Sequence, residues 1–202
     1  MGPLMPDETH SNRPSPESRR QQILDAACER VRQSGFHGAS MADIAKAAGL
    51  SVGQIYRYFE NKEAIIAAIV AQDLAEMRDK FAEMESQPGT LLDAIEDHLP
   101  EGIGKCFDPR RAALALEVVA EAARNPKVAA IVREADHQER ALARTMMERD
   151  RKPEWTEEEF QARCEVVGLI FDGLLMRAVN HPDLNREALT TVLRATIRGV
   201  LS

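Results

Sequence analysis

No stretch of this 202-residue chain approaches the ~18 uninterrupted apolar residues of a membrane-spanning helix, so no membrane partner is expected. The N-terminus carries no secretory pattern, and Pro6 breaks the myristoylation pattern that Met1 and Gly2 would open. A cytoplasmic protein is the expectation. Cysteine is scarce: Cys28, Cys106 and Cys164 stand far apart, without the close pairing of a zinc site. Cys28 shares a helical face with Leu24 and Val31, which suits a buried core thiol, with a redox sensor as the alternative. There is no Gly-rich phosphate loop, no nucleophile motif and no His-Glu metal pattern, and His98 and His137 lack ligand-type spacing to Cys or acids. No enzyme activity, cofactor or metal is therefore expected. Alternating strand patterns, repeats and low-complexity segments are missing too, which leaves an all-α chain.

Apolar residues make up 44% of the sequence, enough for a real core. The net charge of −7 would oppose a polyanionic partner if it were evenly spread. It is not. Residues 13–62 hold eight Lys or Arg against five Asp or Glu, a balance of +3, while residues from 63 onward hold 18 against 26, a balance of −8. A mildly basic head on an acidic body turns that head towards nucleic acid, with strongly salt-dependent affinity.

The stretch from Ser40 to Lys62 reads as two short helices joined by a tight turn. Ser40 suits an N-cap, with Asp43 at the third helical position. Ile44, Ala45 and Ala48 share one apolar face, Gly49 suits the left-handed end of a helix, and Ser51 is placed to cap the next. Ile55 and Phe59, four residues apart, point towards the core. The opposite face carries Gln54, Tyr56, Arg57 and Tyr58. Amide and guanidinium groups suit base edges in a major groove, Tyr hydroxyls and Lys62 suit phosphates, and Gly53 allows close approach of the backbone. An ordinary helical hairpin with a solvated polar face is the alternative on these residues alone.

The run Ile44-Ala45, Ala48-Gly49-Leu50-Ser51, Gly53, Ile55-Tyr56, Tyr58-Phe59 and Lys62 resembles the DNA-binding signature of the TetR family of bacterial transcriptional regulators. The detailed match covers residues 17–70; beyond it, length and helical pattern agree. The resemblance implies base reading by a helix from Val52 to Tyr58, with Gln54 and Arg57 setting specificity. It also implies phosphate contacts from Ser40 and its neighbouring amides at Met41, and from Tyr56, Tyr58 and Lys62.

Residues 1–14 read as a disordered tail, rich in Pro, Ser, Asn and Gly. Ser15-Pro16 starts the first helix, whose stripe of Ile23, Leu24, Ala27, Cys28 and Val31 is ended by Gly35. Arg13, Arg19 and Arg20 suit either backbone contact or plain solvation. Asn61 caps a long helix to about Ser86, with Ile66, Val70, Leu74, Met77, Phe81 and Met84 at helical spacing, and this helix is the mechanical link between head and body. Thr90 with Asp93 begins another, interrupted by Pro100, Gly102 and Gly104. Asp108-Pro109 and Asn125-Pro126 open the next two, Thr156 with Glu159 forms a capping box for a helix to about Val179, and Asn185 caps the last. The expectation is a nine-helix TetR-like fold, with residues 15–60 a three-helix helix-turn-helix DNA-binding domain and residues 61–202 an effector-binding and dimerisation domain.

The last two helices are unusually apolar, with Val166, Val167, Ile170, Phe171, Leu174 and Leu175 on one and Leu189, Val192, Leu193, Ile197 and Val200 on the other. A thicker internal core would use them. The family resemblance implies instead a homodimer through a four-helix bundle, for which Val167, Ile170, Phe171, Leu174, Leu189, Val192, Leu193 and Ile197 are the candidates. Two recognition helices then sit about one duplex turn apart, roughly 34–36 Å, on a near-palindromic operator in double-stranded DNA. The resemblance further implies a small-molecule effector in the body, with Met77, Phe81, Met84, His98, Phe107, His137, Met146, Trp155 and Asp172 as candidate lining. Met and aromatic residues at helical spacing also suit plain core. Asp172 suits either a cationic ligand or an internal pairing. The resulting expectation is a nucleoid-associated transcriptional regulator, a repressor released by its effector. A DNA-bound interaction protein on the same fold, such as a cell-division factor without an effector, is the alternative.

Overall fold

The computed structural model describes residues 15–202, so the expected tail over 1–14, Arg13 included, lies outside the described residues. Among the described residues are nine α-helices and no strand. They are α1 (Pro16–Gly38), α2 (Met41–Ala47), α3 (Val52–Ile55), α4 (Lys62–Ser86), α5 (Leu91–Cys106), α6 (Pro109–Ala122), α7 (Pro126–Glu148), α8 (Glu157–Asn180) and α9 (Arg186–Leu201).

Local capping chemistry fixes most of the starts. Ser15, Ser40, Ser51, Asn61, Thr90, Asp108, Asn125, Thr156 and Asn185 each accept a backbone N–H of the first turn of the helix they precede. At Thr156 only that half of the expected box forms, because Glu159 turns away to Arg163 at 2.7 Å. The backbone leaves helical geometry at Gly35 (φ 68, ψ 169), a region essentially restricted to glycine, before one last turn to Gly38.

One expected break does not occur, since α5 runs through Pro100, Gly102 and Gly104. Proline lacks the N–H that would bond the Glu96 carbonyl one turn back. Arg194 of α9 supplies that bond instead, with Nη2 donating to Glu96 O at 3.1 Å. Arg198 adds a two-pronged grip on the Glu96 carboxylate at 2.8 and 2.9 Å.

Two hydrophobic cores result. The first joins Ile23, Leu24, Ala27, Val31 and Phe36 of α1 to Ile44, Ala45, Ile55, Phe59, and Ile65, Ile66 and Ile69 at the start of α4, closed by Val128 of α7. The second joins Met84, Leu91, Leu99, Ile103, Met146, Trp155, Phe160, Val167, Leu174 and Ile197. Both long connecting helices are thin between the cores: α4 buries nothing fully between Ile69 and Met84, and α7 nothing between Val128 and Met146. Along α4 and α7, a layer of half-buried side chains separates the two cores.

Candidate functional site

In the head, α2 and α3 start with reciprocal capping boxes, and these boxes decide which donors are free. The Ser40 hydroxyl gives its only proton to Asp43 Oδ2 and accepts from Asp43 N at 3.1 Å, while Ser40 N donates to the same carboxylate at 3.2 Å. These bonds hold the Asp43 carboxyl below the usual carboxylate range. Ser40 therefore spends its hydroxyl on the cap. The amides of Met41 and Ala42, in the unpaired first turn, are the groups left there for an anion.

At α3, Ser51 N donates to Gln54 Oε1 at 2.8 Å and Gln54 N to Ser51 Oγ at 3.3 Å. The helix is shorter than expected: it ends at Ile55, and Arg57 N to Gln54 O (3.2 Å) and Tyr58 N to Ile55 O (3.0 Å) close a tighter three-residue turn. Tyr56, Arg57 and Tyr58 thus stand on that turn and not on the helix proper. Arg20 of α1 fixes the turn, its guanidinium 4.3 Å from the Phe59 ring centroid and donating to Tyr58 O at 3.4 Å. Val52, Gly53, Gln54, Tyr56 and Arg57 are exposed and Tyr58 is half-buried. A Cβ at Gly53 would meet no protein atom within 4 Å, so packing does not call for glycine at this position. Lys62 is partly spent, with Nζ donating to Phe36 O at 2.8 Å above the Phe36 ring, and two of its N–H groups remain for phosphate.

In the body, the expected effector residues divide. Met84, Phe107, Met146 and Trp155 are sealed inside the second core, Trp155 stacked on Phe160 and covered by Arg163 at 4.2 Å. In this structure they serve packing. His98 is bound to Ala94 O at 2.8 Å and to Gln87 at 3.3 Å, and His137 is exposed. Met77 and Phe81 are half-buried on the thin middle of α4.

The electrostatics of the body single out groups that sequence spacing missed. Desolvation pushes up the carboxyls of Asp73 on α4, Glu139 on α7 and Asp172 on α8, with the charges of Asp172 and Asp136 adding to Glu139. The Asp73 side chain nevertheless keeps 57% of its surface accessible, and Glu139 and Asp172 are exposed as well. Arg111 of α6 bridges Asp73 and Glu76, each at 2.9 Å. Burial, with a smaller push from Asp172, also raises the Cys106 thiol. Glu139 sits among polar neighbours in the sequence, so no periodicity marks it.

The expected dimer residues divide as well. Val167, Leu174 and Ile197 point into the chain's own core, and Ile170, Phe171, Leu189 and Leu193 are half-buried against it. Of that set Val192 alone is exposed, at 63%. The uncovered apolar face of α8 lies beside the expected one, at Val166, Leu169, Met176 and Val179, with Leu169 66% exposed.

Comparison with known proteins agrees with this architecture. Residues 23–69 match the model for bacterial regulatory proteins of the tetR family, and residues 86–202 match the tetracyclin repressor-like C-terminal domain. The HTH-type transcriptional regulator UidR of Escherichia coli K12 is 32% identical over 185 residues, spanning 91% of this chain and 93% of UidR. Salmonella enterica GusR superposes with a TM-score of 0.78 at 25% identity, covering 93% of this chain and 97% of GusR. The FadR regulator of Bacillus subtilis, solved with stearoyl-CoA, shares the fold at TM-score 0.72 and 20% identity, over 88% and 96% of the two chains. With its head, its body and nearly the whole of its length matched, the chain belongs to the TetR family of DNA-binding transcriptional regulators.

Proposed function

We propose that this regulator is a homodimeric repressor, released from a near-palindromic operator by a small molecule bound in the layer between its two cores. The observation that carries the reading is the division of the core: α4 and α7 are well buried at both ends and thinly packed between them. A ligand filling that middle layer presses on α4, whose first turns belong to the head core. Coupling of about 1–3 kcal/mol through such an element is enough to release an operator held with moderate affinity. The lining would combine Met77 and Phe81 with Asp73, Arg111, Glu139 and Asp172. On the DNA side, Arg57, Gln54 and the Gly53 backbone would meet base edges, while Tyr56, Tyr58, Lys62 and the Met41 amide would meet phosphates. The uncovered stripe on α8, with Val192 of α9, would join two copies about a two-fold axis.

Fluorescence anisotropy on the DNA directly upstream of the gene, against a shuffled duplex at equal salt, tests the reading. Tight, salt-sensitive preference for the native segment, lost on adding a compound from a metabolite panel, is the expected result. Equal and weak binding to both duplexes, repeated with duplexes enriched from the whole genome, would remove the operator-specific reading.

A further inference from the structure

Glu121 is, among the described residues, the one charged side chain that is fully buried, at 1% exposure. It stands at the C-terminal end of α6, where the body meets the head. Arg124 Nε donates to its Oε2 at 2.8 Å, and Asn125 Nδ2 donates to its Oε1 at 3.2 Å. His37, in the last turn of α1, places Nδ1 3.7 Å from Oε2. The same Asn125 amide also donates to Glu63 Oε1 at 3.3 Å, in the first turn of α4. The Glu63 carboxyl is held below its ordinary range, chiefly by its own backbone N–H and also by Asn125. A single amide therefore ties a buried carboxylate of the body to one at the start of the linker helix. Beside it, Gly35 passes so close to α6 that a Cβ there would lie 3.3 Å from Glu117 Oε2.

Burying a carboxylate is unfavourable unless its oxygens are paired, and an apolar side chain would fill the same volume without that cost. What the carboxylate adds is direction, since its two oxygens reach different partners along fixed lines. We propose that Glu121 is the positioning residue that sets the angle of the DNA-binding head on the body. It faces the end of α1 at His37 and holds the start of α4 through Asn125. These are two of the places where the head's own helices reach the body at this joint, beside the packing of α6 and α7 side chains into the head core. In a dimer that angle fixes the separation of the two recognition turns, so the proposal rests on the dimeric reading above.

The test uses a duplex selected from a random pool by the purified full-length protein. Derivatives of it have one or two base pairs inserted or removed at the centre, and an unrelated duplex reports non-specific binding. Glu121→Gln leaves one acceptor where two donors converge. Asn125→Ser retains an oxygen for the Lys127 N–H that Asn125 now caps at 3.1 Å, but is too short to span the two carboxylates, and it guards against a Glu121 variant that fails to fold. The wild type is expected to lose about tenfold in affinity for a one-base-pair change of spacing. Both variants should bind the unrelated duplex as the wild type does, lose about tenfold on the best spacing, and accept neighbouring spacings within about threefold. A folded variant that keeps the wild-type affinity and its sharp spacing preference overturns the proposal. So does an equal loss on every duplex, which would assign Glu121 to holding the head together and not to aiming it. A wild type indifferent to spacing overturns the dimeric reading, and the proposal with it.

Discussion

Gln54 turns its side chain back onto its own helix, with Oε1 accepting from Ser51 N at 2.8 Å, so its carbonyl end is engaged in the cap and its NH2 end is left for other partners. A glutamine with both ends free reads adenine by giving and accepting one bond each; this one offers donors, which suits acceptors such as guanine O6 and N7 or thymine O4. Gln54→Glu keeps an acceptor for the cap and replaces the donors with a negative charge. It is expected to melt within about 2 °C of the parent and to lose at least about tenfold in affinity for all DNA. Gln54→Ala should lower stability by about 0.5–1 kcal/mol, through the lost half of the box, and relax preference at one base position. Thermal melting beside anisotropy on single-base operator variants separates the two effects, and an unchanged preference in Gln54→Ala would remove Gln54 from base reading.

The half-buried Cys28 thiol is pushed up to about 11, chiefly by burial, with the Arg32 charge acting weakly against it. At pH 8 it should therefore hold about a hundredfold fewer thiolates than an unperturbed thiol, and thiolate is the reactive form. Iodoacetamide labelling followed by peptide mapping should find Cys28 about a hundredfold slower in the folded protein than in guanidinium. Rapid labelling of the folded protein would instead support a redox-sensing role.

Glu139 is raised above the ordinary carboxylate range by desolvation, then by the charges of Asp172 and Asp136. A carboxyl whose folded value is raised stabilises the fold below its unfolded value and loses that contribution as pH rises through the folded value. Once ionised, Glu139 is therefore expected to weaken the fold. Glu139→Gln should raise the melting temperature at pH 7.5, and the gain should shrink as the pH is lowered and the parent takes up its proton. A gain that stays constant down to pH 4 would show that charge is not its source.

The helix starts were legible because they are set within one turn. Ser40 with Asp43, Ser51 with its Gly49 stop, and Asn61 need only their immediate neighbours, and each caps where its sequence places it. Elements whose fate depends on distant partners were not legible. Pro100 looks like a break until Arg194 reaches the orphaned Glu96 carbonyl. The turn after α3 is held by Arg20, 38 residues away in sequence, which no local pattern announces. In the body, Met84 and Trp155 carry the same periodic signal whether they line a cavity or close a core, and the partners across from them decide which. The acidic set at Asp73, Glu139 and Asp172 comes from three helices and has no spacing to betray it.

Helix α8 carries two adjacent apolar stripes, and periodicity alone does not say which one the chain keeps for itself. Val167 is 6% exposed and Leu174 4%, so the inner stripe is occupied, while Leu169 at 66% and Met176 at 49% are not covered by this chain. A charge at the inner stripe should unfold the protein, because it would be buried without a partner. A charge at the outer stripe should leave the single chain intact and separate two copies, since a two-fold axis brings the same substitution in from both sides and opposes like charges. Leu169→Glu is therefore expected to melt cooperatively as a monomer, to sediment at about half the mass of the parent, and to lose at least about a hundredfold on a full operator while binding non-specific DNA nearly unchanged. Val167→Glu is expected to lose the fold itself. Sedimentation and circular dichroism on the pair decide between the stripes, and a Leu169→Glu protein that remained dimeric would move the interface away from the outer face of α8.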